Sequence, residues 1–218
     1  MWRIAALVLW LASPVSSGDV DTVVRGVETR YQSVRTLKAA FLHRYTESQN
    51  TLRVESGTVY FSRGGRMRWE YESPETKLFL ADGKLVWFYV PADRTATRAK
   101  MKESADWQTP LALLLGKAKF SRICGRVELA DARVSAAQNV TLRCTPKSAK
   151  DAFSEVLVEA DGQYRIVRVQ IREPGGVETE FRFGNWQENI PLAETLFRFV
   201  TPPGVSVVEG NSISGPMR

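Results

Sequence analysis

Alternation of apolar and polar residues is the feature of this sequence that most constrains its fold. Met67, Trp69 and Tyr71 are separated by single charged residues. Because successive side chains of a β-strand point to opposite faces, this spacing predicts a strand with one apolar and one charged face. Residues 37–45 alternate in a similar way. The chain is therefore expected to build a sheet that buries one of its faces.

Asp-Gly pairs mark two of the turns between these strands. Asp82-Gly83 and Asp161-Gly162 each separate two apolar runs, and this dipeptide is a strong hairpin signal. The spacing of the turns predicts about ten or eleven short strands in one mainly β domain. Such a sheet can form a barrel or sandwich with a solid core, or it can curve around a cavity that helices close. The strand pattern alone leaves both architectures open.

Two segments break the alternation and predict helices. Residues 20–37 place apolar side chains at steps of three and four, which is typical of an amphipathic helix that Asp19 or Asp21 can cap. Residues 109–116 begin with Thr-Pro and end with Gly, which is the usual punctuation of a short helix. This short helix is apolar on all sides, so it must be covered or must itself cover an apolar surface.

The amino terminus has the composition of a secretory signal peptide. Arg3 precedes an apolar run at residues 4–12, and small residues follow it up to Ser17. The run is too short to cross a membrane. We expect residues 1–18 to be removed by cleavage near Ser17 or Gly18, residues 19–210 to form a single domain, and residues 211–218 to form a flexible tail. The mature protein is then expected to be exported and soluble.

The chain offers few residues for catalysis or metal binding. Its single histidine, His43, lies on the apolar side of a predicted strand, where a buried, hydrogen-bonded structural role is expected. Two cysteines without a neighbouring histidine do not make a metal site. In an oxidising compartment, Cys124 and Cys144 are candidates for one disulfide, with free buried thiols as the alternative. The net charge of +6 is spread among acidic residues, so nucleic acid is not an expected partner.

Five separated segments resemble the family of periplasmic carriers that shuttle lipoproteins to the outer membrane. In the order of the family they are GTVYFSRGGRMRW at 57–69, DGKLVWFYVP at 82–91, TPLALL at 109–114, CTPK at 144–147 and FRFVTPPGV at 197–205. The resemblance implies an incomplete antiparallel β-barrel closed by an α-helical lid over an apolar cavity for lipoprotein acyl chains. It implies a periplasmic monomer with no enzymatic activity and no cofactor. The implied partners are an inner-membrane ABC-type lipoprotein-releasing complex and an outer-membrane acceptor.

The resemblance also gives a role to one arginine. Arg63 occupies the place of the family's arginine that holds the lid shut by hydrogen bonds to helix backbone carbonyls. Its expected acceptors lie near Tyr31 on the first helix and near Leu114 and Leu115 on the short one. A guanidinium has five donors and no acceptor, so it suits the unpaired carbonyls at a helix end. The family usually has proline after this arginine, and Gly64 is expected to loosen the strand there.

The predicted acyl-chain site is a set of apolar side chains. Its expected members are Met67, Trp69, Tyr71, Trp87, Leu111 and Leu114. Met67 stands where the family often has phenylalanine, and its flexible side chain suits irregular acyl chains. The alternative function is a periplasmic regulatory protein that senses lipid or lipoprotein on the same scaffold. Relatives of that kind typically carry a second domain, for which this chain has no length, so the carrier is favoured.

Overall fold

One open sheet organises the part of the chain that the computed structural model describes, namely residues 17–47, 50–101, 113–116, 118–130, 139–148, 153–211 and 213. The strands are β1 (Thr36–Glu47), β2 (Asn50–Ser62), β3 (Arg66–Ser73), β4 (Lys77–Ala81), β5 (Leu85–Val90), β6 (Thr95–Lys100), β7 (Cys124–Leu129), β8 (Val140–Pro146), β9 (Glu155–Ala160), β10 (Ile166–Arg172), β11 (Val177–Glu188) and β12 (Ser206–Glu209). The helices are α1 (Ser17–Ser33), α2 (Phe120–Ile123) and a 3-10 helix (Glu194–Phe197).

The sheet has twelve strands within the described ranges, in the order β12-β6-β5-β4-β3-β2-β1-β11-β10-β9-β8-β7. Neighbouring strands are antiparallel except β12, which pairs in parallel with β6. β12 and β7 are the two edges, so the sheet is an incomplete barrel, as predicted. The count exceeds about ten or eleven because the short segment Ser206–Glu209, which is exposed throughout, adds an edge strand without any alternation.

The alternation in β3 sorts its residues onto two faces as predicted. Met67, Trp69 and Tyr71 are almost fully buried, and the charged residues between them are partly exposed. The buried face carries the main core of the described chain, which α1 covers with Val27 and Tyr31. None of the helices that the structure describes is both long and apolar enough to cross a membrane.

The first helix begins and ends earlier than the sequence pattern predicted. α1 spans Ser17–Ser33, because the chain turns into β1 at Thr36 and Leu37 is already an inward-facing strand residue. Asp19 and Asp21 therefore lie inside the helix, and neither is its cap. Asp19 is in the first turn, where its negative charge interacts favourably with the helix dipole.

Several predicted segments lie wholly or partly outside the described residues. Residues 1–16 of the predicted signal and residues 214–218 of the tail are among them, as are residues 109–112 of the predicted short helix. The remainder of that helix, residues 113–116, forms a turn in which Leu113 and Leu114 are buried. Cys124 and Cys144 form a disulfide that joins β7 to β8, with their Cα atoms 5.3 Å apart.

Candidate functional site

A layer of aromatic rings on the apolar face of the sheet surrounds Trp69. The centroid of its ring lies 4.9 Å from that of Phe41, 5.8 Å from Phe61 and 5.2 Å from Phe181. The rings come from β1, β2, β3 and β11, whose antiparallel register brings their inward positions together. α1 lies over this core with a row of valines ending at Val27. The interface between helix and sheet consists almost entirely of apolar side chains.

Four of the predicted cavity residues meet in this core, and one does not. Met67, Trp69, Tyr71 and Leu114 belong to the same buried cluster. Trp87 lies on the opposite face of the sheet. Leu111 lies outside the described residues.

The placement of Trp87 corrects the sequence-based site. β5 is apolar on both faces, so its sequence does not indicate which residues point inward. Its register with β4 pairs Trp87 with Leu80, and Leu80 points away from the core that holds its neighbour Phe79. Trp87 stacks instead on Phe199 of the C-terminal segment, with ring centroids 4.6 Å apart. It contributes to a second, smaller core on the outside of the sheet.

Arg63 joins the end of β2 to the end of α1. Its Nη2 donates to the carbonyl oxygen of Gln32 at 2.6 Å and lies 3.5 Å from that of Ser33. Carbonyls in the last turn of a helix have no donor within the helix, so an external donor satisfies them. The main acceptor is therefore Gln32, one residue beyond Tyr31. An acceptor was expected near Tyr31. Tyr31 is engaged differently, because Gly116 packs so closely on its carbonyl that a Cβ there would lie 2.2 Å from the oxygen.

The predicted contacts of Arg63 with Leu114 and Leu115 take another form. Within the described chain, the hydrogen-bond acceptors of the guanidinium are on α1. Leu114 and Leu115 instead line, together with Arg63, a small cavity of about 10 Å³. The guanidinium thus lies at the rim of the apolar layer, where α1, β2 and the turn at residues 113–116 meet.

Other polar contacts fasten α1 to the far side of the sheet. The hydroxyl of Tyr31 accepts a hydrogen bond from the amide of Ile166 at 2.9 Å, and burial raises the pKa of this phenol. Arg30 pairs with Glu188 at 2.7 Å. A carboxylate oxygen of Glu28 accepts from the amide of Phe120, the first residue of α2, at 2.8 Å. The sequence did not indicate these contacts, because each partner lies more than ninety positions away.

A buried charged group lies on the apolar face at the end remote from Arg63. Glu55 accepts a hydrogen bond from Lys77 and lies 3.2 Å from Nδ1 of His43. Burial lowers the pKa of His43 below 6.5, so the ring is neutral near pH 7 and its Nδ1–H donates to the carboxylate. Burial alone would raise the pKa of Glu55, but the hydrogen bonds from His43 and Lys77 lower it to about 2. His43 thus has the buried, hydrogen-bonded role that the sequence predicted.

The described residues contain no cluster of three or more histidine, cysteine or acidic side chains arranged to hold a metal ion. The charged group around Glu55 is internally paired, with two basic side chains and one imidazole facing one carboxylate. These partners satisfy the carboxylate and neutralise its buried charge.

Comparison with known proteins gives consistent matches over most of the chain. The family described as outer membrane lipoprotein carrier protein LolA matches residues 32–200. A relative named outer-membrane lipoprotein carrier protein from Methylococcus capsulatus is 30% identical over 178 residues, covering 81% of this chain and 83% of the relative. One of the same name from Chromobacterium violaceum is 28% identical and covers 97% of both chains.

One solved structure shows the same fold at low sequence identity. An uncharacterized conserved protein from Thermus thermophilus superimposes with a TM-score of 0.54 at 13% identity, covering 88% of this chain and 99% of that one. At this identity the likeness concerns the fold alone. The family match, by contrast, spans well over half of the sequence. This chain belongs to the outer membrane lipoprotein carrier protein family, LolA.

Proposed function

We propose that this protein is a periplasmic carrier that holds the acyl chains of lipoproteins between α1 and the apolar face of the sheet, and shuttles them from the inner to the outer membrane. The observation that carries this proposal is the bond from Arg63 to Gln32 at the rim of the apolar layer around Trp69. A hydrogen bond at that place can hold the helix against the sheet and still leave the apolar surfaces between them available to an acyl chain. The family of carriers to which the chain belongs contains chaperones and not enzymes.

Free energies of transfer explain why such cargo needs a cover. An acyl chain with about fifteen methylenes, at roughly 0.8 kcal/mol each, costs on the order of 12 kcal/mol to expose to water. The rings around Trp69 and the valines of α1 offer an apolar surface to such a chain. A cover that closes on the empty protein also keeps this surface from binding other apolar molecules.

A carrier must also release its cargo, so the contact that closes the rim must be weak enough to open. An exposed hydrogen bond such as the one from Arg63 contributes about 1 kcal/mol, which is small beside the transfer energy of a chain. Binding of cargo can therefore open the rim, and the return of the bond in the empty protein favours release. In this proposal the cargo arrives from an ABC-type lipoprotein-releasing complex and leaves to an outer-membrane acceptor, and the protein acts as a monomer after removal of its signal peptide.

The proposal is tested by purifying the protein from periplasm and identifying bound molecules by mass spectrometry. We expect lipidated proteins to co-purify with the parent and to be lost from Leu114→Glu, which places a charge in the apolar layer. Leu42→Glu is the matched control, because Leu42 is 37% exposed on the outer face of β1. Recovery of only non-protein lipids would replace the proposal with a general lipid carrier. Retention of lipoprotein without delivery to an acceptor would favour the sensing role.

A further inference from the structure

The charged group around Glu55 interrupts the apolar face at a defined depth. Glu55 is 4% exposed, and its carboxylate contacts His43, Lys77 and the guanidinium of Arg53, whose Nε lies 3.3 Å away. Glu55 and Arg63 are eight residues apart along β2 and the residue that follows it. At about 3.3 Å per strand residue, they are separated by roughly 26 Å. The two groups therefore mark opposite ends of the apolar layer along this strand.

The charged group borders directly on the aromatic rings. The ring of His43 stacks on Phe181 with centroids 4.5 Å apart, and the ammonium of Lys77 lies 5.6 Å from the centroid of the Tyr71 ring. This group is not needed to attach α1 to the sheet, because the helix is held elsewhere by Arg63, Arg30 and the Tyr31 hydroxyl.

We propose that Glu55, His43 and Lys77 form the floor of the acyl-chain site and set the greatest chain length that it accepts. This inference rests on the proposed function. A chain that passed this level would have to separate Glu55 from a cation or cover the ions with methylenes. A buried charge without its partner is strongly unfavourable. The free energy gained by burying one more methylene is too small to offset this cost.

The length limit follows from the strand geometry. Phe61 is the last inward-facing residue before the rim, and it lies six positions from Glu55. On β1, Leu37 likewise lies six positions from His43. Both strands give a depth of roughly 20 Å, which is somewhat more than the roughly 15 Å of hydrocarbon in one membrane leaflet. A membrane acyl chain therefore fits in a conformation that is more extended than its average in a leaflet.

The test uses the full mature chain and synthetic diacyl lipopeptides of one peptide sequence and increasing saturated chain length. For the parent we expect the affinity to rise about fourfold with each methylene until the extended chain reaches about 20 Å, and then to stop rising. In His43→Phe/Glu55→Leu/Lys77→Met, the limit is expected to move to chains longer by about 7 Å, one further inward position of a strand. Replacing a buried ion group with apolar residues of similar size is often neutral for folding.

The matched control is Arg172→Met/Glu178→Leu, which removes an exposed ion pair of 3.0 Å on the outer face and is expected to keep the parent's limit. A parent that binds no lipopeptide contradicts the proposed function. A parent that binds without a length limit, or a triple variant with the parent's limit, overturns the floor and leaves the proposed function standing.

A second measurement needs only the parent protein. A lipopeptide with a photoreactive diazirine at the end of a chain of about 20 Å is expected to label residues beside the floor, such as Phe41 or Phe181. A shorter chain is expected to label residues near Phe61. Labelling of Tyr45, the next inward position beyond His43, would overturn the floor even if the triple variant did not fold.

Discussion

Arg63 and Gln32 are joined by a hydrogen bond of 2.6 Å that connects the end of β2 to the last turn of α1. Contacts of Tyr31 and Arg30 hold the same helix to β10 and β11. The helix is thus fastened on one side by several contacts and on the other, within the described residues, by the guanidinium of Arg63. The bond to Gln32 is the contact whose loss would most directly free the rim between α1 and β2.

Removing the guanidinium should make the protein hold cargo more tightly. Arg63→Leu destabilises the closed empty state by about 1 kcal/mol, which corresponds to about fivefold tighter binding and slower release. Arg35→Leu is the control, because Arg35 is an exposed arginine at the same rim. Transfer of a labelled lipopeptide to acceptor vesicles measures the effect. If Arg63→Leu released its cargo as readily as the parent, the role of Arg63 as a latch would be wrong.

The buried group around Glu55 should make stability depend on pH in two windows. The pKa of His43 is lowered in the folded protein, so the unfolded chain binds a proton more readily and stability falls as the pH drops below 6.5. The pKa of Glu55 falls from 4.5 to about 2 on folding, so its contribution is present above pH 4.5 and is lost between these values.

Urea unfolding at a series of pH values tests both windows. His43→Phe should flatten the decline that begins near pH 6.5, and Glu55→Gln should flatten the decline below pH 4.5. Leu42→Gln on the outer face, which adds no titratable group, provides a control for nonspecific loss of stability. An unchanged profile in His43→Phe would show that His43 does not carry the upper window.

The disulfide should stabilise the fold without taking part in binding. Cys124 and Cys144 are 20 residues apart, and a loop of this length corresponds to about 3 kcal/mol in the chain-entropy view. Adding a reductant should lower the free energy of unfolding by about that amount. Cys124→Ala/Cys144→Ala should be insensitive to the reductant. Equal unfolding of the parent with and without reductant would contradict this contribution.

Because Trp87 lies on the outer face of the sheet, we expect its contacts to affect the stability of the fold and not the binding of acyl chains. Phe199→Ala removes a partly buried ring stacked on Trp87 and should lower the free energy of unfolding by about 2 kcal/mol, less than for a fully buried phenylalanine. Binding of a lipopeptide should not change, because the two rings lie on the face opposite Trp69. If Phe199→Ala lost affinity for the lipopeptide at unchanged stability, Trp87 would have to be part of the binding site.

Local patterns in the sequence were sufficient where a residue's environment depends on its own strand. The alternation in β3 placed Met67, Trp69 and Tyr71 on the buried face, and His43 followed the same rule on β1. β5 is the exception, because a strand that is apolar on both faces does not indicate which of its side chains point into the core. Only its pairing with β4 shows which face of β5 is inward.

Contacts between distant strands could not be predicted from periodicity. The pairing of Lys77 with Glu55 depends on β4 and β2 both flanking β3, which is a property of the register of three strands. The edge strand β12 forms because the C-terminal segment crosses the outer face at Phe199 before it reaches β6. The resemblance, and not the alternation, pointed to Arg63. Its acceptor was expected near Tyr31, and the structure identifies it as the adjacent residue, Gln32.

Binding of acyl chains by the apolar layer under α1 is the property from which the proposed function follows. Calorimetric titration of the purified mature chain with a diacylated lipopeptide and with the same peptide lacking its acyl chains tests it most directly. We expect binding of the acylated form with a negative heat-capacity change, the mark of apolar burial, and no binding of the bare peptide. Equal binding of the two peptides, or no binding of either, would contradict it.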